Sequence, residues 1–120
     1  MSQYESLVAA LKSLTQGEAP ATVTLPVAED EWRTRPQSDS YGIVQLDFEG
    51  SAMNADDGKA DLTWEGSVDL FSHMRSGGGW VPLITDALET WCGSCWSLNS
   101  HTYERETGLF HWEWTFEVLN

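Results

Sequence analysis

The segment that most constrains the fold is 110–118, where Phe110, Trp112, Trp114, Phe116 and Val118 alternate with His111, Glu113, Thr115 and Glu117. A period of two does not fit a helical stripe; it requires a strand with one face in a core and the other in polar surroundings. One strand cannot bury such a face alone. It needs hydrogen-bonded neighbours and a second layer over the aromatic side.

The upstream sequence predicts both. Trp96 to Asn99 and Tyr103 to Leu109 read as strand and Gly-containing loop leading into the last strand. From Tyr41 to Phe48, Val44, Leu46 and Phe48 share one face, with Ile43, Gln45 and Asp47 on the other. In 60–71, Leu62, Trp64, Val68 and Leu70 oppose Asp61, Thr63, Glu65, Ser67 and Asp69. Residues 50–59, rich in Asn, Asp and Gly, predict a flexible turn between these two strands. Gly66 falls on the inner face, where it leaves room for a helix or a bulge.

Two stretches carry helical periodicity. In 2–16, Ser2 and Glu5 stand at capping-box spacing ahead of the stripe Tyr4, Leu7, Val8, Leu11 and Leu14, with Gly17 placed to end the helix. After the glycine run 77–79, Pro82 suits a first turn and Leu83, Ile84, Ala87, Leu88 and Trp91 form a stripe that ends near Gly93. Between the first helix and Tyr41, Thr22 to Leu25 reads as a short strand. Residues 26–40 read as a long polar loop or arm, with an extended edge segment around Trp32. The expected architecture is α+β: a mainly antiparallel four- to five-stranded sheet covered on one face by two helices, in the order α-β-β-β-α-β-β.

The length of 120 residues predicts one domain spanning 1–120, and a 41% hydrophobic content with seven Trp can supply its core without disulfides or a metal. With 19 acidic against 6 basic residues, the formal charge of −13 opposes stable binding to phosphate backbones. The same charge, lining a channel, would let DNA pass without sticking. No apolar run approaches membrane-spanning length, and the first residues show no basic segment leading into an apolar one. With only two cysteines, this predicts a reducing, cytoplasmic setting.

Several motifs invite chemistry and are better explained without it. Trp91-Cys92-Gly93-Ser94-Cys95 has the spacing of a dithiol redox motif, but such a motif needs its first thiolate at a helix N-terminus. Here it follows a helix end, where the dipole disfavours an anion, and no proline occurs after Pro82 to stand opposite it. A zinc site would have to recruit His101 and His111 at spacings that match no strong pattern. The glycine run lacks the lysine of a phosphate loop. His73, His101 and His111 are scattered and read as surface residues, and pairs such as Glu29-Asp30-Glu31 and Asp56-Asp57 read as solvated acidic loops. Asp56-Asp57-Gly58 lacks the ligand series of a calcium loop. The expectation is a protein that is not an enzyme and needs no cofactor or metal.

Tyr103-Glu104-Arg105-Glu106-Thr107-Gly108-Leu109-Phe110-His111-Trp112, continuing into the alternation from Glu113 to Val118, resembles the C-terminal hairpin of tail terminator (tail completion) proteins of long-tailed, lambda-like phages and prophages. Asp61 to Phe71, followed by a loop and a helix, is similar to the strand-helix step before that hairpin, and the helix from Tyr4 to Leu14 matches in place and length. The chain departs from that pattern in the shorter link before the last hairpin, the Cys pair and the arm at 26–40.

The resemblance implies a structural virion protein, made in the host cytoplasm and ending in the tail. It implies a homo-oligomeric ring, usually hexameric, that stops tail-tube polymerisation and joins tail tube protein to neck or head connector proteins while DNA passes through its lumen. Ring closure needs head-to-tail contacts, for which Trp32, Arg33, Arg35, Gly77, Trp80 and Arg105 are the candidates. The competing readings are a cytoplasmic thioredoxin-like dithiol oxidoreductase using Cys92 and Cys95, and a non-catalytic binding or immunity-type adaptor.

Overall fold

Helix α1 (Gln3–Lys12) opens the chain as its capping residues require: the Ser2 hydroxyl accepts the Glu5 backbone N–H at 3.1 Å and donates to the Glu5 carboxylate at 3.2 Å. Its buried side is the stripe Tyr4, Leu7, Val8 and Leu11. The computed structural model describes residues 2–48 and 63–119. The turn expected at 50–59, its acidic pair, and Asp61 and Leu62 lie outside the described residues.

The helix stops four residues short of its expected end. Ser13 and Leu14 donate to Ala10 and Leu11, tightening the last turn, and the Leu14 carbonyl then accepts the Leu25 N–H at 3.0 Å. This frees β1 (Thr15–Gln16) to pair antiparallel with β2 (Val23–Thr24), setting the β-branched Thr15 and Thr24 opposite each other. Gly17 therefore begins the loop of this small ribbon rather than capping the helix.

The main sheet contains β3 (Val27–Glu29), β4 (Ser40–Phe48), β5 (Thr63–Ser72), β6 (Trp96–Glu104) and β7 (Leu109–Leu119), side by side in the order β3-β4-β5-β7-β6. Helix α2 (Trp80–Cys92) lies between β5 and β6 in the chain. The α+β class and the two helices agree with expectation, but the sheet is mixed, because β3 runs parallel to β4. Part of the expected arm is thus an edge strand. Three residues are too few to show alternation; the strand is fixed from outside, by Gly42 donating to the Pro26 carbonyl at 2.8 Å and Asp30 to Val44 at 2.9 Å.

One face of the sheet meets the helices. Val44, Val68, Leu70, Trp112, Trp114, Phe116 and Val118 pack there against the α1 stripe and against Trp80, Ile84, Leu88 and Cys92 of α2. Gly66 does make room on this face, and what fills the space is the ring of Phe116, directly across the ladder. A pairing irregularity at Leu46 to Phe48 accompanies it on β4. Before α2, Gly77 holds a φ of +79° and lies against Trp112 and Leu70, a position where a side chain would be both strained and crowded.

Candidate functional site: the open face of the sheet

Among the described residues, no helix lies on the second face of the sheet. Strand alternation places Tyr41, Ile43, Gln45 and Asp47 of β4 on it, with Glu65, Ser67, Asp69 and Phe71 of β5 and His111, Glu113, Thr115 and Glu117 of β7. The ladders align these residues into rows across the strands. Tyr41 stands opposite Phe71 and Phe71 opposite His111; Asp69 stands opposite Glu113, and Glu65 opposite Glu117.

The first row is a stack of rings. Tyr41 and Phe71 lie 5.2 Å apart and Phe71 and His111 4.2 Å, both nearly parallel. Trp32 closes the row with its edge on Tyr41 at 6.4 Å, and its indole N–H donates to the Gly42 carbonyl at 3.1 Å. Arg35 reaches the same ring, its Nε donating to the Tyr41 hydroxyl at 3.0 Å and its guanidinium lying 5.6 Å from the ring centre. The arm from Asp30 to Asp39 is thereby pinned to the open side of β4.

His111 ends the row between two carboxylates. Its Nε2 is 2.6 Å from Asp69 Oδ1 and its Nδ1 3.1 Å from Glu104 Oε2. The hydrogen bond to Asp69 raises its pKa above the ordinary imidazole value; burial opposes the rise, and the charges of Asp69 and Glu104 add to it. Protonated, the ring donates to both acids and ties β5, β6 and β7 together. In that protonated state both ring nitrogens carry hydrogens directed at carboxylates, and the group acts as a lock across the strands.

A pH dependence follows. Because the folded-state pKa is raised, the stabilisation is complete below about pH 6.5, the unfolded imidazole value, and is lost as pH rises through the folded one. Urea unfolding between about pH 6 and pH 9 should show stability falling with pH. A His111→Gln variant should lose that part of the slope. Identical slopes in the two proteins would contradict the lock.

The rest of the open face is acidic. Glu65 and Glu117 face each other and, with Asp47, line a shallow hollow of about 440 Å³ that also meets Ser97, Thr115 and Cys95. Directly opposed like charges cost a sheet some tenths of a kcal/mol to about 1 kcal/mol. Two such pairs, Asp69 with Glu113 and Glu65 with Glu117, occur on this one face, and only the first has the compensation of His111. Among the described residues, no group of three or more His, Cys, Asp or Glu is arranged to hold a metal ion.

The other residues singled out from sequence fall in different places. Trp32 is half-buried and Arg35 engaged, as above, so both brace the arm within the subunit. Trp80, only 5% exposed, belongs to the core, and Gly77 is buried against Trp112 and Leu70 in the chain's approach to α2. Arg33 and Arg105 are exposed, the first on the arm and the second at the β6–β7 turn. Cys92 is the last residue of α2 and Cys95 is exposed beyond the turn; both are free thiols. Burial, with the neighbouring Cys95 adding to it, pushes the Cys92 thiol up to about 12. This opposes the thiolate from which dithiol exchange begins.

The clustering of His111 with Asp69 and Glu104 goes beyond the sequence reading, which placed His111 simply on a surface strand. The alternation does put Asp69 and His111 on outward faces. Only the pairing of β5 with β7 makes them neighbours.

No family model, no curated protein and no solved structure matches this chain. No helix among the described residues is long and apolar enough to cross a membrane.

Proposed function

We propose that this protein is a structural component of a long-tailed phage or prophage particle, a tail terminator-like subunit whose copies form a ring on the tail tube and meet the head connector. The reading starts from the likeness of the Tyr103 to Val118 hairpin to that family. The observation that carries it further is the division of the sheet into two chemically distinct sides. One is sealed by two helices; the other is open and bears Asp47, Glu65, Glu113 and Glu117.

A ring that turned its open faces inward would line its lumen with carboxylates. DNA phosphates would then be repelled from the wall rather than bound to it, which suits a conduit. The strands supply a rigid wall, and the exposed Arg33 and Arg105 sit on loops, where contacts to neighbours or to the tube are readily made. Nothing in this role calls for a cofactor.

The test is to add the purified chain to tail tubes that lack their terminator and to image the ends. The expected result is a cap at the head-proximal end, with the mass of a ring near six subunits, and tubes that no longer elongate. A chain that leaves tube length and tube ends unchanged at saturating concentration would refute the proposal.

A further inference from the structure

Strand β6 is an edge: among the described residues it is hydrogen-bonded within the sheet to β7 alone. From Trp96 to Tyr103 it carries no Asp, Glu, Lys or Arg, in a chain whose formal charge is −13. Its last residue, Glu104, is held by His111. Long uncharged edges are what soluble proteins ordinarily avoid, because such an edge invites another strand.

The helix side of this edge is also apolar. Leu98 is 45% and Tyr103 54% exposed, while His101 lies flat on Trp112 at 4.3 Å and Tyr103 leans on Phe110 at 4.9 Å. Two chains of the same strong negative charge repel, so close approach is confined to neutral surface of this kind.

We propose that β6 of one copy pairs antiparallel with β6 of a second copy about a two-fold axis, joining the two five-stranded sheets into one. The bulge in β6 is what selects this partner. Leu98 stands opposite Trp114 and Ser100 opposite Glu113, so Asn99 is an extra residue. Its amide donates to the Thr115 hydroxyl at 2.9 Å, which places it on the open side of the sheet.

Along β6 the open side therefore holds Ser97, Asn99, Ser100 and Thr102, and the helix side Trp96, Leu98, His101 and Tyr103. This order is symmetric about the midpoint between Asn99 and Ser100. A second β6 centred there sets Asn99 against Ser100, Leu98 against His101, Ser97 against Thr102 and Trp96 against Tyr103. Every residue then meets one on its own side. A slip of one residue would set Leu98 against polar open-side partners. A strand without the bulge cannot match across it, whereas a second copy brings the same bulge to the same point.

Eight residues at ~3.4 Å each and a sheet ~10 Å thick give a strip of roughly 300 Å² per partner, well below the ~800 Å² of a standard interface. The pairing is thus weak and concentration-dependent. It does not rest on the tail reading, because a two-fold contact closes at two copies, whereas a ring uses two different patches head to tail.

Sedimentation of the full chain between about 10 μM and about 1 mM, where an interface this small registers, should show mass rising from one subunit towards two. Leu98→Glu, a change at an exposed position, should raise the dimer Kd at least about tenfold with an unchanged circular dichroism spectrum. Independently, Ser97→Cys with Thr102→Cys in a Cys95→Ser background should give disulfide-linked dimers on mild oxidation. A monomer throughout the range, a dimer indifferent to Leu98→Glu, or the absence of cross-linked dimer would each overturn the proposal. Capping of tubes by the Leu98→Glu variant would leave the tail reading standing whatever the dimer result, so the two fail separately.

Discussion

Trp114→Ala should lower stability by about 3–5 kcal/mol, the range for removing a large buried aromatic ring. Trp114 has no exposed surface and sits in the middle of the aromatic face of β7, opposite Val68 on one neighbour and Leu98 on the other. For a chain of this size, whose net stability is expected near 5–15 kcal/mol, that loss is a large fraction of the whole. It corresponds to a fall in Tm on the order of 15 °C, readable by thermal circular dichroism. One feature moderates the cost. The Trp114 indole N–H is buried without a hydrogen-bond partner among the described residues, an expense of about 1–3 kcal/mol that any apolar replacement removes. Trp114→Phe should therefore cost clearly less than Trp114→Ala. If the two variants melted together, the packing of this ring would not be what holds the core.

Gly66→Ala, normally a mild change, should be severe here. In an ordinary strand, alanine is favoured over glycine by roughly 0.5–1 kcal/mol because glycine loses more freedom on folding. A Cβ at position 66, however, would overlap the Gln45 carbonyl and come within 2.6 Å of Phe116 Cζ. Overpacking costs about 1–3 kcal/mol and sometimes more, and a backbone carbonyl in a sheet cannot rotate aside as a side chain can. The clash therefore outweighs the entropy, and a net loss of about 2 kcal/mol or more is expected in urea unfolding. Adding Phe116→Leu to Gly66→Ala should recover part of the loss, a coupling that a double-mutant cycle would read as non-additivity. A Gly66→Ala protein as stable as the parent would mean that β4 and β5 are not in this register.

The sheet's two-sidedness is the property on which both the stability and the proposed role depend. The aromatic side draws in two helices and holds the core. The opposite side accumulates carboxylates at positions where charge repulsion is an expense to folding, offset in part by His111 and by the ring row that begins at Trp32. An acidic open face that serves as the wall of a DNA conduit would give that expense a purpose.

The sequence by itself determined the elements whose pattern is long enough to repeat. The alternation from Phe110 to Val118 specified β7 and its inner face; the stripe of Tyr4, Leu7, Val8 and Leu11 specified α1; the Leu83 to Leu88 periodicity specified α2. Hydrophobic period is a local property, and these segments each span several periods. It also marked Gly66 as making room, without naming the occupant. Tertiary structure decided whatever depends on which segment lies beside which. Val27 to Glu29 became a parallel edge strand only because β4 offered partners for its backbone. Trp32, which the sequence set in the arm as a candidate ring contact, was claimed by Tyr41 and Gly42. Trp80 and Gly77 went into the interior because α2 packs back over Trp112 and Leu70. His111 joined Asp69 and Glu104 across three strands, a proximity that no local pattern encodes, because cross-strand neighbours are set by pairing register and not by distance along the chain.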